Sequence, residues 1–198
     1  MRIIFLTLLI AVGIGTTSNC NAQDLPSVNR KKKHKYSLYM GVGPNYYFNN
    51  LVLAKDYVRE LNYSFVTRFM WEPEFFVSLG FETGYNKLYT VKGDPANTNG
   101  AKIVNASIPI QFIISMKFLK DFYGNFTMGQ GIRLNKITTN ASGDYHASNF
   151  SLGDYGIAVG YQKIIAPHFS LGTELKGYYS SKLDDRNMAL VFMAGYRF

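Results

Sequence analysis

Met188-Ala189-Leu190-Val191-Phe192-Met193-Ala194-Gly195-Tyr196-Arg197-Phe198 closes the chain. Read with a period of two, Met188, Leu190, Phe192, Ala194, Tyr196 and Phe198 share one face, and Ala189, Val191, Met193, Gly195 and Arg197 share the other. That period belongs to a β-strand, whose side chains alternate across the sheet. One face is bulky and apolar and the other is smaller and ends in a charge, so the two meet different surroundings.

The pattern recurs upstream. Phe169, Leu171, Thr173, Leu175 and Tyr179 oppose Ser170, Gly172, Glu174, Lys176 and Tyr178. Tyr155, Ile157, Val159 and Tyr161 alternate with Asp154, Gly156, Ala158, Gly160 and Gln162, and Phe126, Met128, Ile132 and Leu134 with Thr127, Gly129, Gly131 and Arg133. Val104, Ala106, Ile108, Ile110, Phe112 and Ile114 oppose Asn105, Ser107 and Gln111, with Pro109 predicting a bulge or weak pairing. Phe75, Val77, Leu79, Phe81 and Tyr85 face away from Ser78, Gly80, Glu82, Gly84 and Asn86, and Tyr63, Phe65 and Phe69 away from Ser64 and Arg68. Leu38, Met40 and Val42 with Tyr39, Gly41 and Gly43 make an eighth segment.

Strands that cross a bilayer must satisfy every backbone group with a neighbouring strand, which only a closed barrel achieves. Apolar residues then face lipid while polar and small ones face the lumen. The fold class is therefore all-β, an eight-stranded antiparallel up-and-down transmembrane β-barrel. The mean hydropathy of −0.07 fits, because only alternate residues touch lipid.

Connection lengths alternate. Trp71–Glu74, Lys117–Asp121 and Ile165–His168 read as short periplasmic turns, and Asn49–Leu61, Thr90–Ala101, Lys136–Asn149 and Ser180–Asn187 as longer external loops. Tyr and Phe number 15 each. Those toward strand ends, such as Tyr46, Tyr47, Phe48, Tyr85, Tyr89, Tyr178 and Tyr179, are expected in aromatic girdles at the two interfaces.

At the other terminus, Met1 and Arg2 precede an apolar run from Ile3 to Gly15 and then small and polar residues to Ala22, the layout of a cleavable signal peptide. The expected division is 1–22 signal peptide, 23–35 basic periplasmic segment and 36–198 barrel, in the outer membrane of a Gram-negative cell. Removing 22 of 198 residues leaves 176, enough for eight strands of about 9–11 residues each. Cys20 is the single cysteine, and ordinary cleavage removes it together with any disulfide or thiol chemistry. Lipidation of Cys20 is the competing reading, in which Thr17-Ser18-Asn19-Cys20 serves as lipobox with Asn19 a poor fit.

The net charge of +8 does not indicate a nucleic-acid partner. Arg2, Arg30, Lys31, Lys32, Lys33 and Lys35 contribute six positive charges in and beside the leader, so the excess is a tail rather than a face. Such a tail can meet phospholipid headgroups, although a solvated linker is the plainer reading.

The layout resembles the Bacteroidota outer-membrane β-barrel family called PorT-like. The features that carry the resemblance are Asn21-Ala22-Gln23 at the leader's end, Ser107-Ile108-Pro109-Ile110, the glycine-rich hairpins and Tyr196-Arg197-Phe198. It implies insertion by the barrel-assembly machinery, with Tyr196 and Phe198 as assembly signal. It also implies an accessory role in protein secretion.

Seven charges fall on inward positions: Arg68, Glu82, Arg133, Asp154, Glu174, Lys176 and Arg197. A narrow lumen forces such charges to pair, so they read as a polar network filling the barrel. A narrow pore is the alternative. His146-Ala147-Ser148-Asn149 is similar to the His-x-Ser-Asn element of lipid A 3-O-deacylases, in which His is the base, Ser the nucleophile and Asn an oxyanion donor. The acid expected about fourteen residues later falls on Gly160, and the element sits in an expected loop, so an exposed loop is the plainer reading. His34 and His168 are isolated, Asp184-Asp185 is too sparse for calcium, and no phosphate-binding glycine loop opens a helix. No cofactor, metal or catalytic residue is expected. The expectation is a non-enzymatic barrel whose partners are outer-membrane lipid, the assembly machinery and an envelope or secretion protein met by its loops.

Overall fold

The strands follow one another around a ring and the last pairs with the first. The computed structural model describes residues 35–48, 57–73, 76–93, 101–139, 143–181 and 184–198. Its strands are β1 (Lys35–Phe48), β2 (Val58–Arg59), β3 (Leu61–Glu72), β4 (Val77–Lys92), β5 (Lys102–Lys117), β6 (Phe122–Thr139), β7 (Gly143–Ala166), β8 (Phe169–Ser180) and β9 (Asp185–Arg197). The leader 1–22, segment 23–35 apart from Lys35, and Phe75 lie outside the described residues.

Neighbours pair antiparallel in the order β3, β1, β9, β8, β7, β6, β5, and β5 pairs with β4, which closes the ring against β3. The short β2 pairs with β4 just above β3, with Val58 opposite Val91 and Arg59 opposite Thr90. It continues β3 past an interruption at Glu60, whose carbonyl accepts from the Tyr47 N–H at 3.1 Å. Nine segments thus build the eight barrel strands that the alternation predicts.

The seam between the two ends of the chain keeps one register, with a lapse at Gly43 and Pro44. β1 and β9 pair from Ser37 opposite Arg197 to Phe48 opposite Arg186. Beyond it, the Phe198 N–H donates to the Tyr36 carbonyl at 2.9 Å. The exterior carries Phe81, Ile157, Leu171 and Phe192, each more than half exposed. A water-soluble protein does not leave a belt of this extent bare, whereas a bilayer crossing requires it.

Strands are longer than the alternation alone suggested. β1 begins at Lys35, β3 spans Leu61–Glu72, and Glu72, expected in a turn, is an inward strand residue. The loop expected over Lys136–Asn149 is instead the end of β6 and the start of β7, paired from Leu134 opposite Ser148 to Thr139 opposite Gly143. Polar strand residues with no apolar partner face look like loop in a sequence, and here backbone pairing overrides them.

Irregularities appear at specific residues. Pro109 stays in register with Gly131 on β6, while the β4–β5 register lapses after Thr83 opposite Ile110 and resumes at Asn86 opposite Ser107. The weak pairing is therefore on the β4 side, and the bulge lies higher, between Lys87 and Tyr89. A second bulge sits at Gly153, whose φ of +84° suits glycine and which the β6–β7 register skips between Gly129 and Gln130.

Candidate functional site

Two regions carry chemistry: the lumen and the external edge. In the lumen, period-two placement brings charges from three strands to one level. Arg68 of β3 donates from Nε and Nη2 to Glu82 Oε2 of β4 at 3.0 and 2.7 Å. Its Nη1 and Nη2 also reach Glu174 of β8 at 3.0 and 2.8 Å. Lys176, two residues on, is ion-paired to the second oxygen of Glu82. Two cations thus face two carboxylates, all four side chains at most 4 % exposed.

Neutral donors complete the group. Tyr123 and Asn125 of β6 donate to Glu174 at 3.0 and 2.7 Å, and Tyr178 donates to Glu82 at 2.9 Å. Removing two carboxylates from water costs several kcal/mol each unless cations and donors replace the lost hydration. Here the supply is a bifurcated guanidinium, an ammonium, two phenols and an amide.

The other predicted charges form separate groups. Arg197 pairs with Glu72 at 3.0 Å near the periplasmic end, where Tyr39 donates to Glu72 at 2.7 Å and Lys117 approaches to 3.5 Å. Arg133 pairs with Asp185 at 3.1 Å toward the external end, and Tyr47 donates to the same carboxylate. Asp154 takes a hydrogen bond from Ser151 at 2.7 Å and, among the described residues, no cation within ion-pair distance. The seven inward charges thus sort into three groups among the described residues, with Asp154 outside them.

Two residues expected in the girdles turn inward, Tyr47, which is buried, and Tyr89, which packs against it at 5.0 Å between ring centroids, while Tyr178 serves Glu82 from the inward face on which alternation puts it. A phenol with a buried carboxylate to bond is held in the lumen. Glu72, Tyr123 and Asp185 were missed as site residues; extending the face of Arg68 by two periods reaches Glu72. Between the charged groups lies an apolar cluster of Tyr39, Val66, Met70, Ile113, Ala189, Val191 and Met193. Cavities along the lumen include one of about 20 Å³ beside Arg68 and Glu72 and another of about 20 Å³ beside Arg133 and Gln111, each room for a single water.

Outside, β7 outruns its neighbour. It pairs with β6 up to Gly143, but its pairing with β8 begins only at Asp154 opposite Ser180. From Gly143 to Leu152, roughly 30 Å of strand at ~3.4 Å per residue, its second edge has no partner strand among the described residues. Tyr145, Phe150 and Leu152 are more than 60 % exposed there. Lys136 and Asp144 pair at 2.6 Å across the hairpin, and this hydrogen bond holds the Asp144 carboxyl below its ordinary range.

His146 and Ser148, two apart on this strand, share a face beside a groove lined by Tyr85, Val104, Ala106 and Leu134. The element lies on a strand, not in the expected loop. Among the described residues no hydrogen bond joins His146 to Ser148, and no group of His, Cys, Asp and Glu could hold a metal.

The fold has known counterparts. The chain is similar to Ail, the attachment invasion locus protein of Yersinia pestis. In complex with the heparin analogue sucrose octasulfate, Ail matches with a TM-score of 0.59 and 12 % identity over 84 % of this chain and 99 % of its own. The structure of Ail alone gives 0.53 and 13 % over the same shares. At that identity the likeness establishes the eight-stranded barrel and nothing finer. No family model and no curated relative matches the chain.

Proposed function

We propose that this is a small non-enzymatic outer-membrane barrel, exported by a cleavable signal peptide, whose lumen is filled by its own core and whose working part is the external β7 edge. The observation that carries the reading is the reach of β7 from Gly143 to Leu152 beyond the start of its ladder with β8. Soluble and membrane proteins alike cover or shorten such edges, because exposed N–H and C=O groups recruit other strands. An edge held rigidly beyond a barrel suits an extended segment of an envelope protein that adds as a further strand, with Tyr145 offering a side-chain contact.

The lumen contributes rigidity. Paired charges across three strands fix the barrel that carries the edge, and the cavities beside Arg68 and Arg133 each hold about one water, which favours a plug over a narrow pore. Tyr196 and Phe198 serve as the signal for the assembly machinery: the Tyr196 ring packs edge-on against Phe169 and Phe198, both at 5.1 Å.

A crosslinked pull-down from outer membranes tests the reading, with a tag between Ser180 and Asn187 and photoreactive residues at Asn149 or at the lipid-facing Ala194. A defined protein crosslinked from position 149 and not from 194 is the expected result. If that protein belongs to a secretion system, the accessory role implied by the PorT-like resemblance holds. Equal crosslinking from both positions, or none from 149, overturns the edge as the working part.

A further inference from the structure

The lipid-facing wall is not uniformly filled. On β8 the outward positions run Leu171, Thr173, Leu175, Gly177 and Tyr179, so one position in the belt lacks a side chain. Its neighbours are Ile157 on β7 and Met188 on β9. The result is an open groove of about 600 Å³, lined on its apolar floor by Phe126, Ile157, Gly177 and Met188. That volume falls in the ~300–1,000 Å³ range of sites that hold small molecules.

The external rim of the groove is different in chemistry. Tyr155 and Tyr179 stand opposite each other one period above Gly177, and Arg186 pairs across from Tyr179. The Arg186 guanidinium lies 5.8 Å from the Tyr179 ring centroid and gives one N–H to Asp184 at 3.3 Å, an exposed pair that ties it weakly. Guanidinium is the side chain best matched to phosphate oxygens, and phenols are at home at the headgroup level. An apolar trough below a cation and two phenols matches one occupant: a lipid with an acyl chain under an anionic phosphate headgroup.

We propose that this groove holds one acyl chain of a phosphorylated glycolipid of the outer leaflet, with its phosphate on Arg186. The end of the barrel decides the leaflet. Arg186 sits at the external end of β9, beside the β8–β9 connection, opposite the periplasmic turns. Inside a bilayer a trough of this size is filled by lipid, and the glycine keeps it open. A Cβ at position 177 would meet nothing nearer than Ile157 at 3.9 Å, so a larger residue can enter the groove without disturbing the backbone. The proposal rests on outer-membrane residence, and not on the β7 edge.

The test is native mass spectrometry of protein extracted from outer membranes in mild detergent, comparing the natural chain with Gly177→Phe, Arg186→Gln and the belt control Ala194→Phe. Density fractionation confirms separately that each variant reaches the outer membrane and thus separates failure of that premise from failure of the groove. Heat-modifiability on gels shows that each is folded. The expected result is one glycolipid retained by the natural chain and by Ala194→Phe, and its loss from Gly177→Phe. Arg186→Gln is expected to lose preference for phosphorylated over dephosphorylated glycolipid. Equal retention by Gly177→Phe, retention of phospholipid instead, or a second copy of the chain covering the groove would each overturn the assignment.

Discussion

Arg68 on β3 reaches across the lumen to Glu174 on β8, 106 residues later, placing Nη1 and Nη2 on separate carboxylate oxygens at 3.0 and 2.8 Å. β1 and β9 lie between these strands in the wall, so the contact ties opposite sides of the ring rather than neighbours. The same guanidinium holds Glu82, and Lys176 balances the second carboxylate.

Breaking this group on one side is expected to be costly. Glu174→Gln leaves Arg68 with one carboxylate in a site that excludes water, a change worth about 3–5 kcal/mol. The temperature at which the folded band disappears on heat-modifiability gels should fall. Adding Arg68→Met to that variant restores neutrality, because Glu82 keeps Lys176 and Tyr178. The double variant should melt closer to the natural chain than the single one does; a further drop would show that Arg68 stabilises by something other than charge pairing.

Gly160 faces the lumen where Tyr123 crosses it, and a Cβ there would overlap the phenol ring. Gly160→Leu should push Tyr123 off Glu174 and lower stability by about 1–3 kcal/mol, the usual cost of overpacking. Tyr123→Phe, which removes only the hydroxyl, should cost about 1–3 kcal/mol, the range for one hydrogen bond to a charged group. The two changes made together should not add, because both act on the same contact. Additive melting shifts would separate them.

Ser148→Ala is expected to leave lipid A unaltered. His146 and Ser148 share a strand face, yet no hydrogen bond links them, and Asp144 on the same strand is engaged by Lys136. A serine lacking a base that can take its proton is not an activated nucleophile. Mass spectra of lipid A from cells with the natural chain and the variant should show identical acyl patterns, and a lost acyl chain that depends on Ser148 would reverse this.

Phe198 closes the sheet from the far end of the chain, its N–H on Tyr36 and its ring against Tyr196. Deleting Phe198 should reduce the amount of folded barrel in the outer membrane more than it lowers the melting temperature of the barrel that does assemble. The check is to quantify both in one preparation. A lower melting point with normal yield would make Phe198 a structural residue only.

The architecture was legible because a barrel writes itself in every strand: Met188 to Phe198 alone carries the period, the apolar face and the inward glycine. Strand ends were less legible. Lys136 and His146 look like loop residues, and they are in strand because backbone pairing continues where side chains give no signal. Which charges meet was not legible at all. Alternation places Arg68, Arg133 and Arg197 on one side of the wall, but the level of each depends on the slant of the strands, so they sort into three groups with Glu72 and Asp185 as partners. Tyr47 went to the wrong side for a related reason, since an aromatic near a strand end suits either a girdle or a buried carboxylate.

Single-channel recording in planar bilayers bears most directly on the claim that the lumen is a paired core and the function lies outside it. The purified natural barrel should show no conductance steps, and Glu174→Gln should lose thermal stability without gaining them. Discrete steps from the natural chain, or altered current in Glu174→Gln at unchanged melting temperature, would make the charged group a conduction path and contradict the account.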